Sequence, residues 1–193
     1  MLPLIIGLAL FLGIHLLPTS PQTRTGLVER FGETSYKLAF SVVSLAGLIL
    51  IVLGYHKLQV MPGKNPVLWT PPAGMRHATM ALMLPAMILL VAAYIPSRIR
   101  TAARHPMLVA VKLWALGHLL VNGDLASIVL FGSFLAYAVY DRISVKRRGA
   151  SNPMFAKQGT LMGDIAAVVI GVALYLAFVY GGHALLIGVP ILS

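Results

Sequence analysis

Six apolar runs, each at least 15 residues long, take up most of this chain and are separated by short polar segments. A helix needs about 20 residues to cross the hydrocarbon core of a bilayer, within a range of roughly 17–25. Because 59% of the 193 residues are hydrophobic and 10% are charged, the chain has more apolar surface than a soluble domain of this size can bury. The runs are Leu2–Leu17, Leu38–Tyr55, Met75–Ile95, Met107–Val121, Leu125–Tyr140 and Ile165–Val189.

These runs lack the period-two alternation of transmembrane barrel strands, so each is interpreted as a helix. The sequence therefore predicts an all-α, polytopic integral membrane bundle of about six transmembrane helices in a single domain over residues 1–193. The fourth and fifth runs are short and are joined by the turn Asn122-Gly123-Asp124, while Pro106 suits a first helical turn. We interpret this pair as a short central helical hairpin.

The basic residues are distributed unevenly between the loops. If the six runs alternate across the membrane, the odd loops carry 11 basic residues and the even loops carry 3. By the positive-inside rule the odd loops are cytoplasmic and both termini lie outside, as in a multi-pass protein of a bacterial inner (cytoplasmic) membrane. The 11 are Arg24, Arg30, Lys37, Arg98, Arg100, Arg104, Arg142, Lys146, Arg147, Arg148 and Lys157, and the 3 are Lys57, Lys64 and Arg76.

The net charge of +10 does not indicate a nucleic-acid-binding protein, because the basic residues sit in short loops beside apolar runs. Membrane lipids are the expected partners. No cysteine is present, which excludes disulfides, iron–sulfur clusters and thiolate-ligated haem. No carboxylate is placed to act at mid-bilayer in a proton relay or a two-metal site. The five acids all fall in loops or at run ends: Glu29, Glu33, Asp124, Asp141 and Asp164.

Histidine is therefore the main candidate for chemistry inside the membrane. His15 and His118 have the most apolar surroundings in the sequence, and His183 lies in the last third of the sixth run. Each is either a metal or haem ligand or an imidazole hydrogen-bonded to a backbone carbonyl or a neighbouring hydroxyl, and for His183 the hydrogen-bonded imidazole is favoured. His56 and His77 lie at the outer ends of their runs, where interfacial anchoring is typical.

Three further residues of the Arg104–Asp124 stretch are weaker candidates. His105 lies at the boundary of the fourth run and is expected to cap the helix or contact lipid phosphate. Lys112 is long enough to extend to the interface, which we favour over a catalytic role. Trp114 precedes His118 by one helical turn and is a wall for a planar ligand or an ordinary packing residue.

The stretch Arg104–Ser127, with its Arg-His-Pro-Met start and Leu-Trp-Ala-Leu-Gly-His centre, resembles the signature of the NnrU family. Gly13–Pro18, Ser44–Leu48 and His183–Pro190 resemble that family too, so the likeness runs nearly end to end. NnrU-like proteins are integral membrane proteins associated with denitrification. The family includes 15-cis-zeta-carotene isomerase, which binds b-type haem through two histidines.

The resemblance implies that His15 and His118 ligate the iron of a b-type haem in this chain. Two functions follow from it. One is a haem-dependent isomerase acting on a lipid-soluble polyene, and the other is a non-catalytic membrane factor supporting denitrification, in nitrite or nitric oxide metabolism.

The positions of the histidines leave the ligand set open. If every run crosses the membrane fully, His15 lies toward the cytoplasmic side and His118 toward the outer side. The alternative ligand set is then an outer cluster of His118 with His56, His77 or His183. Gly117, next to His118, permits close approach of either a planar ligand or a packed helix.

Overall fold

The computed structural model describes residues 1–149 and 158–192. Within these ranges the chain forms nine α-helices, and the extended backbone is limited to isolated bridges between Val67 and Asp124 and between Ser97 and Thr160. The helices are α1 (Leu2–Leu16), α2 (Pro21–Phe31), α3 (Glu33–Val60), α4 (Met75–Ala92), α5 (Arg98–Ala103), α6 (Pro106–Val121), α7 (Leu125–Arg148), α8 (Leu161–Ala177) and α9 (His183–Ile187).

The predicted helical membrane bundle is confirmed in class. Five segments are long and apolar enough to cross a membrane, and α6, with 16 residues, is a shorter apolar helix. The five are Leu2–Thr19, Glu33–Val60, Met75–Ala92, Leu125–Arg148 and Leu161–Ile187.

The prediction that the fifth run is short is wrong, because α7 continues for two turns beyond Tyr140 and is 24 residues long. Charged side chains interrupt the apolar pattern there but do not end the helix, since they are good helix formers. The sixth run starts earlier than Ile165 and is interrupted by a wide helical turn at Phe178–Gly182, where two consecutive glycines weaken the regular helix.

Helix α2 is an element that hydropathy did not predict. It is polar, so it has no apolar signal, but Pro21 at its first position and Gly32 after its end mark its limits. Gly32 has φ +81° and ψ 154°, a conformation that only glycine adopts readily, and it joins α2 directly to α3. The consequence is a short polar helix placed immediately before a long apolar one.

The chain divides into two compact units. The first comprises Met1–Thr70 and Gly123–Val145, and the second comprises Pro71–Asn122 and the described residues from Lys146 onward. The two arms of the predicted hairpin, α6 and α7, therefore belong to different units. The single domain over 1–193 stays a prediction.

In the first unit, α1 packs closely on α3 through glycines. A Cβ atom built on Gly7 lies 2.6 Å from the Ile51 nitrogen, and one built on Gly47 lies 2.7 Å from the Phe11 nitrogen. Such small residues let two helix backbones approach in a membrane, where the interhelical attraction is mostly van der Waals packing. Helix α7 joins the unit through aromatic contacts, including Phe134 on Phe11 at 5.6 Å between ring centroids.

In the second unit, α4 contacts both α6 and α8. Against α8, a Cβ on Gly171 lies 2.6 Å from the Ile88 Cα atom. Against α6, the buried Thr79 hydroxyl donates to the Gly117 carbonyl oxygen at 2.8 Å. This bond satisfies the hydroxyl of a buried side chain.

The orientation of the helices stays a prediction and has a direct test. In a chain without cysteines, Ser151→Cys is expected to resist an impermeant maleimide in intact cells, because the positive-inside rule places its loop in the cytoplasm. Ser151 and Lys157 lie outside the described residues. The exposed Lys64→Cys, in an even loop, is the matched control and is expected to react. Labelling of Ser151→Cys in unbroken cells rejects the topology.

Candidate functional site

His15 lies in the last turn of α1, within the first unit. Its Nδ1 atom is 2.6 Å from the carbonyl oxygen of Phe11, one helical turn earlier. A carbonyl oxygen only accepts hydrogen bonds, so Nδ1 carries the proton and the lone pair resides on Nε2. This is the arrangement that metal-ligating histidines adopt, with one ring nitrogen donating to a backbone oxygen.

Aromatic rings surround the His15 imidazole. Phe11 lies 4.3 Å away between ring centroids, Phe40 of α3 lies 5.0 Å away and Tyr137 of α7 lies 6.2 Å away. The Tyr137 hydroxyl also donates to the His15 carbonyl oxygen at 3.3 Å. Aromatic side chains of three helices therefore fix the position of one half-buried imidazole in apolar surroundings.

His118 lies near the end of α6, within the second unit. Its Nδ1 atom bonds the Trp114 carbonyl oxygen at 2.8 Å, which repeats the pattern at His15. The Trp114 ring lies 5.4 Å from the His118 ring. The sequence-based prediction that Trp114 adjoins His118 is therefore confirmed.

His183 is the histidine that the structure brings to His118. The two rings are 6.4 Å apart and nearly parallel, at 23° between their planes. His183 Nδ1 bonds the Val189 carbonyl oxygen at 2.6 Å, so its lone pair is on Nε2 too. The exposed His77 belongs to the same unit, whereas the exposed His56 belongs to the first. Within the predicted outer cluster, the structure thus brings His183 to His118.

A family model described as NnrU protein matches residues 3–191. The chain belongs to the NnrU family. No curated protein and no solved structure matches it. The resemblance inferred from Arg104–Ser127 is thus confirmed at the level of family, over nearly the whole length of the chain.

The remaining candidates of the NnrU signature lie at the start of α6. His105 is its N-cap residue, and Arg104 before it has φ +57°, which is uncommon for a residue other than glycine. Lys112 is half-buried about two turns into the helix. Among the described residues, no group of three or more His, Cys, Asp or Glu side chains is arranged to hold a metal ion.

Gly117 faces a helix. A Cβ atom on it lies 2.7 Å from Met83 Cε and 3.3 Å from Thr79 Cγ2, both on α4. Of its two sequence-based interpretations, the structure supports the packed helix. The two cavities that we describe in this unit are lined near Pro71–His77 and near Val179–Leu192, and neither lining includes Trp114 or His118.

A polar cluster in the first unit holds the start of α7. The Asp124 carboxylate accepts hydrogen bonds from the Ser127 amide at 2.9 Å and the Ser127 hydroxyl at 2.6 Å, so Asp124 acts as the N-cap. It also accepts from Asn65 at 2.6 Å and from Gln59 at 3.2 Å. The Ser127 hydroxyl proton goes to Asp124, so Tyr55 donates to the Ser127 oxygen at 2.8 Å.

Sequence reasoning identified Asp124 as a turn residue but missed Gln59 and Asn65. Gln59 lies at the end of α3 and Asn65 follows that helix. Both precede Asp124 by more than fifty residues, and no local sequence pattern links either of them to Asp124. The cluster explains how the polar tip Gly123-Asp124 is accommodated, because protein groups satisfy it. The Gly123 carbonyl oxygen likewise accepts from the Leu68 amide at 2.8 Å.

We expect Asp124→Asn to lower the free energy of unfolding by about 1 kcal/mol at pH 7, because hydrogen bonds to a charged acceptor are lost but solvent screens the exposed part of the carboxylate. Burial acts to raise the pKa of Asp124, but hydrogen bonds from Ser127, Asn65 and Gln59 outweigh burial and hold the pKa below its usual range. A lowered folded-state pKa gives stability that is complete above the unfolded value, about 3.9, and is lost as pH falls through the folded value.

The measurement is detergent or thermal unfolding of wild type and Asp124→Asn from pH 7 to pH 3. The difference between them is expected to shrink below about pH 4. The exposed Glu29→Gln in α2 is the control and is expected to match wild type throughout. A difference that is independent of pH contradicts the role of the ionised carboxylate.

Proposed function

We propose that this NnrU family protein binds b-type haem within the membrane, and that His15 and His118 would each ligate haem iron. The observation that carries the proposal is the hydrogen bond from each Nδ1 to a backbone carbonyl oxygen one turn earlier, at 2.6 and 2.8 Å. It directs the lone pair to Nε2 and fixes the ring orientation, as ligation requires.

The donor chemistry around His15 suits haem better than a bare metal ion. A bare ion needs three or four protein ligands, and the described part of the chain has no such group. Haem brings four nitrogen ligands of its own and needs one or two imidazoles from the protein. The Phe11, Phe40 and Tyr137 rings offer the flat apolar contacts that a macrocycle packs against.

The reaction that we propose is the cis–trans isomerisation of a lipid-soluble polyene. Substrate and product contain the same atoms and electrons, so the reaction needs no second substrate. Bound haem supplies an iron centre whose Lewis acidity depends on its redox state. The helices supply an apolar environment that such a substrate reaches from the bilayer, and no aqueous channel is needed.

The first test is the visible spectrum of protein purified from cells supplied with iron and a haem precursor. We expect a Soret band and a pyridine haemochrome of b type, near one haem per chain. Protein that is folded, monodisperse and without Soret absorbance rejects the proposal.

The second test separates the two functions that the family resemblance implies. Haem-loaded protein in liposomes is incubated with a cis-polyene and the products are resolved by chromatography. Conversion above that of haem-loaded liposomes without protein supports the isomerase. Absence of conversion, together with a spectral shift on adding nitric oxide, favours a non-catalytic factor in nitric oxide metabolism.

A further inference from the structure

A row of rings leads from His15 toward the start of α3, within the first unit. The Phe40 ring lies 5.0 Å from His15, and the Tyr36 ring lies 6.2 Å from Phe40. Tyr36, Phe40 and Ser44 are spaced four residues apart, so they share one face of α3. Moving along this face from Ser44 to Tyr36 approaches the polar end of the helix, which begins at Glu33.

Two hydroxyl groups on this face are buried without a partner. The Tyr36 oxygen and the Ser44 oxygen are both inaccessible to solvent and make no hydrogen bond within the part of the chain that the structure describes. Serine in a helix ordinarily satisfies itself by donating to the carbonyl oxygen four residues earlier. A buried hydroxyl left unsatisfied is destabilising, because it loses the hydrogen bonds that it makes with water in the unfolded chain. Such groups indicate a ligand or water that completes them.

A positive charge lies over one of the two hydroxyl-bearing side chains. The Arg24 guanidinium carbon of α2 is 5.8 Å from the Tyr36 ring centroid, within the range of a cation–π contact. The nearby Glu33 carboxylate is paired with Lys37 at 2.8 Å. Arg24 forms no close ion pair with a described residue, although its charge interacts electrostatically with Glu33. The Arg24 guanidinium thus lies against the Tyr36 ring, one helical turn from the ring that contacts His15.

We propose that Arg24 and Tyr36 bind a carboxylate of the haem that His15 ligates; this inference rests on the function proposed above. Haem b is apolar except for two propionate carboxylates on one edge of its macrocycle. A site in the membrane must keep that edge near water while the rest lies among apolar side chains. Tyr36, near the polar start of α3, and Arg24, on the polar helix α2, supply a hydroxyl and a charged donor for it.

A lipid headgroup phosphate has the same anionic oxygen chemistry. The position of the Tyr36 hydroxyl favours the cofactor carboxylate, because that hydroxyl is buried and lies on the ring row that starts at His15. A headgroup is expected to reach the exposed Arg30 on the same helix as readily as Arg24. Arg30, whose guanidinium carbon lies 5.2 Å from the Phe31 ring, is therefore a matched control.

The experiment uses full-length protein purified without haem and titrated with haem b and, separately, with haem b dimethyl ester, followed by the Soret band. The ester keeps the iron and the macrocycle but has no carboxylate charge. We expect Tyr36→Phe and Arg24→Gln each to weaken binding of haem b by about 10-fold, and their combination by more. Binding of the ester is expected to be the same in wild type and variants.

Controls separate charge recognition from folding. Arg30→Gln removes the same charge from α2, and Tyr94→Phe removes a hydroxyl from a tyrosine that is 67% exposed; both are expected to match wild type with both ligands. Ser44→Ala removes the other unsatisfied hydroxyl, farther from the polar end, and is expected to change the affinities for haem b and its ester equally.

The possible results are distinguishable. Wild-type protein that binds neither ligand overturns both this inference and the function on which it rests. Wild-type binding of haem b with unchanged affinity in Tyr36→Phe and Arg24→Gln overturns this inference alone. A third result also overturns this inference alone. The variants keep their affinity for haem b but bind vesicles of anionic lipid less well than wild type does, relative to vesicles of zwitterionic lipid. The ligand of Arg24 and Tyr36 is then a headgroup phosphate.

Discussion

His15→Ala is expected to remove the Soret band of the purified protein or shift it strongly. The substitution deletes the Nε2 ligand together with the ring that Phe11, Phe40 and Tyr137 hold in place. Loss of groups that merely orient a ligand lowers metal affinity by 10–100-fold, so loss of the ligand itself is expected to lower haem affinity by about 100-fold or more. The same result is expected for His118→Ala.

The measurement is haem per folded molecule after size-exclusion chromatography, with the spectrum of the same fraction. His105→Ala, at the N-cap of α6, is the control and is expected to leave the Soret band largely intact. His183→Ala tests the other ligand set. A spectrum abolished by His183→Ala and His118→Ala but unchanged by His15→Ala assigns the iron to the pair whose rings lie 6.4 Å apart, and rejects His15.

Gly7→Leu is expected to prevent α1 from packing on α3. A Cβ atom at Gly7 lies 2.6 Å from the Ile51 nitrogen and 2.8 Å from the Gly47 carbonyl oxygen, and neither backbone atom is able to move without displacing its helix. Overpacking of a tight interface lowers the free energy of unfolding by about 1–3 kcal/mol, and a clash with backbone is expected to reach the upper end or exceed it. We expect little monodisperse protein in detergent.

Gly13→Leu is the matched control, since it adds the same side chain to the same helix where nothing lies within 4 Å. It is expected to insert, fold and elute as wild type does. The comparison is made by yield of monodisperse protein and by unfolding in a denaturing detergent. Equal stability of Gly7→Leu and Gly13→Leu contradicts the close α1–α3 contact.

The histidine prediction shows where sequence reasoning succeeded and where it stopped. Apolar context marked His15 and His118, and one of the two structural alternatives for each, a bond to a backbone carbonyl rather than to a hydroxyl, is what the structure contains. The ligand interpretation survives because that bond uses Nδ1 and leaves the lone pair on Nε2. The contact of His118 with His183 depends on how α6 packs near the C-terminal segment, which no local pattern specifies.

Tyr36 and Arg24 were missed as site residues for a similar reason. Arg24 entered the sequence analysis only as a loop charge, because α2 has no apolar periodicity and was not predicted as a helix. The spacing of Tyr36, Phe40 and Ser44 was visible in the sequence, but a single face of one helix does not reveal what it packs against. Only the position of α1 brings His15 to Phe40.

The sequence by itself determined that this protein is a helical membrane protein of the NnrU family, with apolar helices placed close to where the structure has them. It was sufficient because the cost of burying polar backbone in lipid acts on each segment separately, so length and hydropathy determine the class. The tertiary structure decided which side chains meet: Asn65 with Asp124, Phe40 with His15 and Arg24 with Tyr36. The helices that bring these residues together are held by contacts between residues that are far apart in the chain. No local sequence pattern encodes such contacts.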